Sequence, residues 1–138
     1  MSHPSIEAQK KSQLKLLIVD DEPDLAELLS LWLEKRFEFI HMVNSSKEAM
    51  EYFRKECVDV LITDMRMPDG TGIDVVQTAF EEHRCMAAIV MTGYDPGSLP
   101  DLKKVRQYPV FYLAKPFEFS ALDKILDMIQ GQKISAAC

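Results

Sequence analysis

Asp64 closes the run Val58-Asp59-Val60-Leu61-Ile62-Thr63, and the chain turns soon afterwards at Pro68. A carboxylate that emerges from an apolar strand can serve as a nucleophile, a base or a metal ligand. Three more apolar runs end in the same manner. Asp20 and Asp21 follow Leu14–Val19, Thr92 closes Ala87–Met91, and Lys115 follows Val110–Ala114. Each has a plain structural alternative: a helix cap for Asp21, a β-branched strand residue for Thr92, a surface charge for Lys115. Taken one at a time the plain alternative is the commoner one. Their joint occurrence at four strand ends is not what a solvated surface produces.

Three carboxylates in one cleft repel each other, so a cation must join them or some must hold a proton at neutral pH. A hard divalent ion with oxygen ligands fits, and Mg2+ prefers a few carboxylates together with water and phosphate oxygens. No His or Cys stands at these ends, which argues against zinc. Lys115 brings a compact positive charge suited to a phosphate oxygen, and Thr92 a hydroxyl donor. A nucleophile, a metal, a cation and a hydroxyl together make a site that receives a phosphoryl group, with Asp64 as the acceptor. The chain has no GxxxxGK[ST] loop, no dinucleotide fingerprint and no GxSxG. Aspartyl-phosphate phosphatases of the haloacid dehalogenase type want an acid two residues after the nucleophile, where Arg66 stands here.

The elements that must position these groups alternate along the chain. Strands are expected at Leu14–Val19, Phe39–Val43, Val58–Thr63, Ala87–Met91 and Val110–Ala114. Helices are expected between and after them. Pro23 suits the first turn of a helix over Leu25 to Phe37, with Asp21 as its cap and Leu25, Leu28, Leu29 and Trp32 facing inward. Ser45 to Glu48 resembles a capping box, Thr71 caps a helix with Ile73, Val76 and Phe80 inward, and Ser120 caps the last one. Pro96 and Pro100 oppose a long helix in the fourth crossover, leaving Leu99 to Arg106 as its only comfortable span. Five βα repeats with right-handed crossovers give a five-stranded parallel sheet with helices on both faces. Parallel strands carry their carboxyl ends to one rim, where ligands bind in open α/β sheets.

The 138 residues suffice for one domain. Sixteen basic against twenty-two acidic side chains, a net charge of −6, argue against direct nucleic-acid binding. Residues 1–13 read as a flexible leader and 132–138 as a flexible tail around a domain at 14–131. Cys57, Cys85 and Cys138 match no metal or redox spacing and read as reduced thiols. No segment has the length of a membrane span and no secretory signal is evident, so a cytoplasmic protein is expected.

The set IVDDEPD, LITDMRMPDGTG, MTG and YLAKPF resembles the receiver domain of bacterial two-component response regulators over residues 14–130. The resemblance implies a flavodoxin-like (βα)5 fold and a phosphoacceptor, Asp64, charged by a sensor histidine kinase or phosphotransfer protein. It implies Mg2+ held by Asp20, Asp21, Asp64 and the backbone carbonyl of Arg66. Thr92 would contact the phosphoryl group, Lys115 would pair with it, and Tyr112 would be the aromatic switch residue. Their movement would reshape the surface around the fourth helix and fifth strand for a downstream effector protein or domain, with a homodimer as one outcome. Such a domain is a phosphoacceptor that assists its own phosphorylation and slow autodephosphorylation rather than an enzyme acting on other substrates. It is expected either to stand alone or to be the receiver of a longer regulator. Arg66 is expected to set the lifetime of the phosphorylated state, and Gly93 leaves room beside Thr92. The competing function is a receiver-fold docking or dimerisation module that works without phosphate. A metal-dependent phosphatase on small esters is the third reading.

Overall fold

In a computed structural model that describes residues 11–83, 85–93 and 102–131, the apolar runs form one parallel sheet. Its strands are β1 (Ser12–Val19), β2 (Phe37–Val43), β3 (Val60–Asp64), β4 (Ala87–Thr92) and β5 (Val110–Ala114). They lie in the order β2-β1-β3-β4-β5, every neighbouring pair parallel. Among the described residues four α-helices accompany them: α1 (Pro23–Leu33), α2 (Ser46–Lys55), α3 (Gly72–His83) and α4 (Phe119–Gln130).

Side chains alternate across a strand, so the sheet feeds two cores. Leu17, Val19, Leu61, Ala88 and Val90 meet Ala49 and Phe53 of α2 and Ile73, Val76 and Phe80 of α3. Leu16, Ile18, Val60, Ile62 and Ile89 meet Ala26, Leu29 and Leu33 of α1 and Leu122, Leu126 and Ile129 of α4. Each fully buried Leu, Ile or Val stabilises by roughly 1.5–3 kcal/mol. Both faces of β3 are therefore covered and all five of its residues are buried, Asp64 included.

Several local expectations shift. β1 and β2 each begin two residues earlier than expected. α1 begins at Pro23 and stops at Leu33. Its N-cap is Glu22 rather than Asp21, and no side chain caps it. Its inward stripe is Ala26-Leu29-Leu33, an i, i+3, i+7 face that leaves Leu28 half exposed. Glu118, not Ser120, is the N-cap of α4. The Ser45 capping box forms as expected: Ser45 Oγ accepts from Glu48 N at 3.0 Å and Glu48 Oε1 from Asn44 N at 2.7 Å. Thr71 Oγ1 accepts from Asp74 N at 3.3 Å.

In the fourth crossover Pro96 and Pro100 lie outside the described residues; the described part holds a four-residue 3-10 turn, Leu102–Val105, inside the expected span Leu99 to Arg106. Cys57 is disulfide-bonded, which corrects the expectation of reduced thiols there, while Cys85 is free and buried. No helix among the described residues is long and apolar enough to cross a membrane.

Two short segments after Asp64, Arg66–Met67 and Gly70–Thr71, pair antiparallel and fold the loop back. Gly72 then starts α3 and donates from its N–H to Met65 O at 2.7 Å. A Cβ on Gly72 would lie 2.3 Å from the backbone oxygen of Asp64, which cannot rotate away. Gly72→Ala is therefore expected to cost roughly 1–3 kcal/mol in urea unfolding. Gly93→Ala, where a Cβ would meet nothing within 4 Å, should leave the midpoint near that of the parent.

Candidate functional site

The strand order brings the ends of β1 and β3 together. Val19 pairs with Thr63, so Asp20 and Asp64 leave the sheet side by side. Asp64 pairs with Met91 on its other side, which puts Thr92 one residue further along the adjoining strand. Thr92 in turn pairs with Ala114, and Lys115 N donates to Thr92 O at 2.7 Å. Four residues far apart in the chain thus share one rim of the sheet.

Carboxylate oxygens of Asp20, Asp21, Glu22 and Asp64 all lie within 4.8 Å of one another. Lys115 reaches into this group: its Nζ is 3.3 Å from Asp64 Oδ1, 3.9 Å from Glu22 Oε1 and 4.0 Å from Asp20 Oδ2. Asp20 is wholly buried. Its Oδ1 accepts from Glu22 N at 2.9 Å, and its Oδ2 is buried with no hydrogen-bond partner. Burial pushes the Asp20 carboxyl up to about 6, against the opposing pull of the Glu22 N–H and Lys115. Burial likewise raises Asp64, with the Lys115 charge and hydrogen bond working the other way.

Thr92 is fully buried at its strand end. Tyr112 lies one strand over, half-buried, paired with Val90 and packed against the core under α2 and α3. Burial raises its phenol. Arg66 pairs with Thr71 in the short ribbon beside Asp64, and its side chain is exposed.

Two residues escaped the sequence reading. Glu22 is the fourth acid of the cluster; the signal was its place directly after Asp20-Asp21 and before the helix-starting Pro23. Asp69 accepts from Ser46 N at 3.0 Å and Lys47 N at 2.9 Å, so a carboxylate from the loop after Asp64 caps α2. Those two N–H groups hold the Asp69 carboxyl below its ordinary value. Nothing in the residues around Asp69 announces a partner more than twenty positions away.

The family model described as the response regulator receiver domain matches residues 16–127. The chain belongs to this family. The receiver domain is 36% identical over 116 residues to the response regulator protein PilR of Pseudomonas aeruginosa, covering 83% of this chain and 26% of that protein. It is 33% identical over 113 residues to the transcriptional regulatory protein GlrR of Escherichia coli, covering 81% of this chain and 25% of that protein. The chain thus spans about a quarter of the length of these relatives. Among solved structures, a two-component response regulator from Clostridium difficile superposes with a TM-score of 0.75 at 22% identity, over 89% of this chain and 100% of that one. The response regulator TrrA from Thermotoga maritima, in complex with Mg2+ and BeF, superposes with a TM-score of 0.71 at 27% identity. That match covers 85% of this chain and 99% of the Thermotoga one.

The raised carboxyl of Asp20 fixes a sign for stability. A native pKa of about 6 against an ordinary value of 3.8 means that the folded chain binds the proton more tightly. The stabilisation is complete below about pH 4 and is lost as pH rises through about 6. Without divalent ions, Asp20→Asn should therefore be more stable than the parent at pH 7.5, by roughly 2–3 kcal/mol. The difference should vanish near pH 4, and Mg2+ should stabilise the parent more than the variant. Thermal melts at the two pH values, with and without Mg2+, read all three outcomes.

Proposed function

We propose that this receiver domain accepts a phosphoryl group on Asp64 from the phosphohistidine of a sensor histidine kinase or phosphotransfer protein, and so controls a downstream effector. The observation that carries this reading is the Asp64 carboxylate, buried beside Asp20 and held 3.3 Å from Lys115. An Asp64 oxygen would bond to phosphorus as the P–N bond of the donor breaks, its electron pair leaving on the imidazole nitrogen. Lys115, already against Asp64, would follow the negative charge to the phosphoryl oxygens, and the Thr92 hydroxyl would donate to them.

The donor set fits Mg2+: four clustered acids, one with a buried oxygen that has no hydrogen-bond partner, are oxygen ligands in want of a hard cation. Asp20, Asp21, Asp64 and the backbone carbonyl of Arg66 would hold it. When bound, the ion supplies positive charge that relieves the carboxylates and offsets charge on the phosphoryl oxygens. We assign Thr92 and Tyr112 to the switch and the 3-10 turn Leu102–Val105 with β5 to the surface it reshapes. The functional unit is residues 14–131, acting in the cytoplasm. A scaffold that never takes phosphate has no use for a carboxylate cluster that burial makes unfavourable, which disfavours the docking-module alternative.

Incubation with Mg2+ and acetyl phosphate should raise the intact mass by one phosphoryl group, and Asp64→Asn should abolish the gain. No adduct from acetyl phosphate, beryllofluoride or a cognate kinase would overturn the proposal. Arg66 belongs to the same ribbon that follows Asp64, so Arg66→Asn should change the rate of phosphate loss in Mg2+. An unchanged lifetime would remove Arg66 from that role.

A further inference from the structure

Among the described residues β2 is the last strand at one end of the sheet and pairs only with β1. From Phe39 to Val43 its register against Lys15–Val19 is unbroken. Asp20 N donates to Val43 O at 3.1 Å. The odd-numbered residues of this stretch therefore turn their backbone polar groups toward β1, and Ile40 and Met42 turn theirs to the open edge. Edge strands are commonly guarded by lysine, proline, a bulge or short length. This one, FEFIHMV, is seven residues long, contains neither lysine nor proline, and has its register irregularity against β1 confined to the stretch before Phe39. It also carries two exposed large apolar side chains, Phe39 at 48% and Met42 at 41%.

Beside Phe39 runs a groove of about 420 Å3 lined in part by Lys15, Ile40, His41, Tyr52 and Glu56. His41 stacks on Tyr52 of α2, the ring centroids 4.4 Å apart and the planes 11° from parallel.

We infer that this edge is a self-association surface, on which β2 of a second copy pairs antiparallel about a two-fold axis at Ile40. The outward groups of Ile40 then bond to those of its mate, and Glu38 faces Met42 of the second copy. Phe39 lands opposite the mate's His41 on the same face, where its ring adds to the stack of His41 on Tyr52. The same axis reverses the two α2 helices. The Glu48 and Glu51 end of one then lies toward the Lys55 end of the other, three residues that line the adjoining surface around His41. A second copy is the fitting occupant because the unpaired edge, the protruding ring, the groove and both charge signs all belong to this one strand and helix. The inference does not depend on phosphate uptake.

Sedimentation velocity over a hundredfold concentration range, under reductant, should show a monomer–dimer equilibrium. Met42→Pro removes an N–H that faces the open edge and spares the β1 ladder. It should raise the dissociation constant by at least roughly tenfold. Phe39→Lys should do the same, and it alone decides the matter if circular dichroism shows Met42→Pro unfolded. Both variants should keep the acetyl phosphate labelling of the parent. A monomer at every concentration overturns the inference, and so does a dimer that survives both substitutions.

Discussion

Parallel pairing of β1 with β3 leaves the chain no choice about Asp20 and Asp64: once Val19 lies against Thr63, the two carboxylates must emerge together. Both are buried, and one Asp20 oxygen has no hydrogen-bond partner. Such an arrangement is unfavourable for the apo fold, since a buried carboxylate must be paired or protonated. Lys115 is the cation that stands against both acids among the described residues, and it is shared with Glu22 as well. One ammonium cannot neutralise four carboxylates. Among the described residues the site is thus short of positive charge, an imbalance that a bound cation would relieve.

A charge imbalance is useful only if the surrounding backbone cannot relax to relieve it. The loop after Asp64 is tied on three sides. Met65 N donates to Met91 O, Gly72 N donates to Met65 O, and the Asp69 carboxylate takes two N–H groups at the start of α2. Gly72 allows the first turn of α3 to press against the Asp64 carbonyl, closer than any side chain would permit. On the β1 side, the Glu22 N–H fixes one Asp20 oxygen and leaves the other turned to the cluster. Positional restraint of this kind is how a fold keeps an unfavourable site intact.

The sheet and most of the cluster were legible because their signals are local and repeat. Four apolar runs ending in Asp, Asp, Thr and Lys say the same thing four times, and a parallel sheet converts that repetition into one rim. What could not be read depends on partners distant in the chain. Asp69 looks like a turn residue, yet it caps a helix that starts more than twenty residues earlier. Leu28 obeys helical spacing as well as Leu29 does, and only the packing of α1 on the sheet decides which of them is buried. Trp32 and Arg36 carry no local sign of a polar partner. They meet Asp123 of α4 from the last turn of α1 and from the turn that follows it, at 3.1 Å each.

The described part of the fourth crossover shows what supports the chain beyond the sheet rim. Thr92 ends β4, and its carbonyl accepts from the Lys115 N–H at 2.7 Å, which ties the ends of β4 and β5 together. Among the described residues of this crossover is the 3-10 turn Leu102–Val105, fastened to α3 by the Phe80–Tyr108 stack at 4.5 Å and by Lys104 near Asp74 at 3.9 Å. A 3-10 turn has poorer hydrogen-bond geometry than an α-helix and resists displacement less. Here its rigidity must come from α3, through the aromatic stack and through Val105, which is buried in the same core as Tyr112's neighbours. A displacement of the 3-10 turn would therefore have to carry these α3 contacts with it.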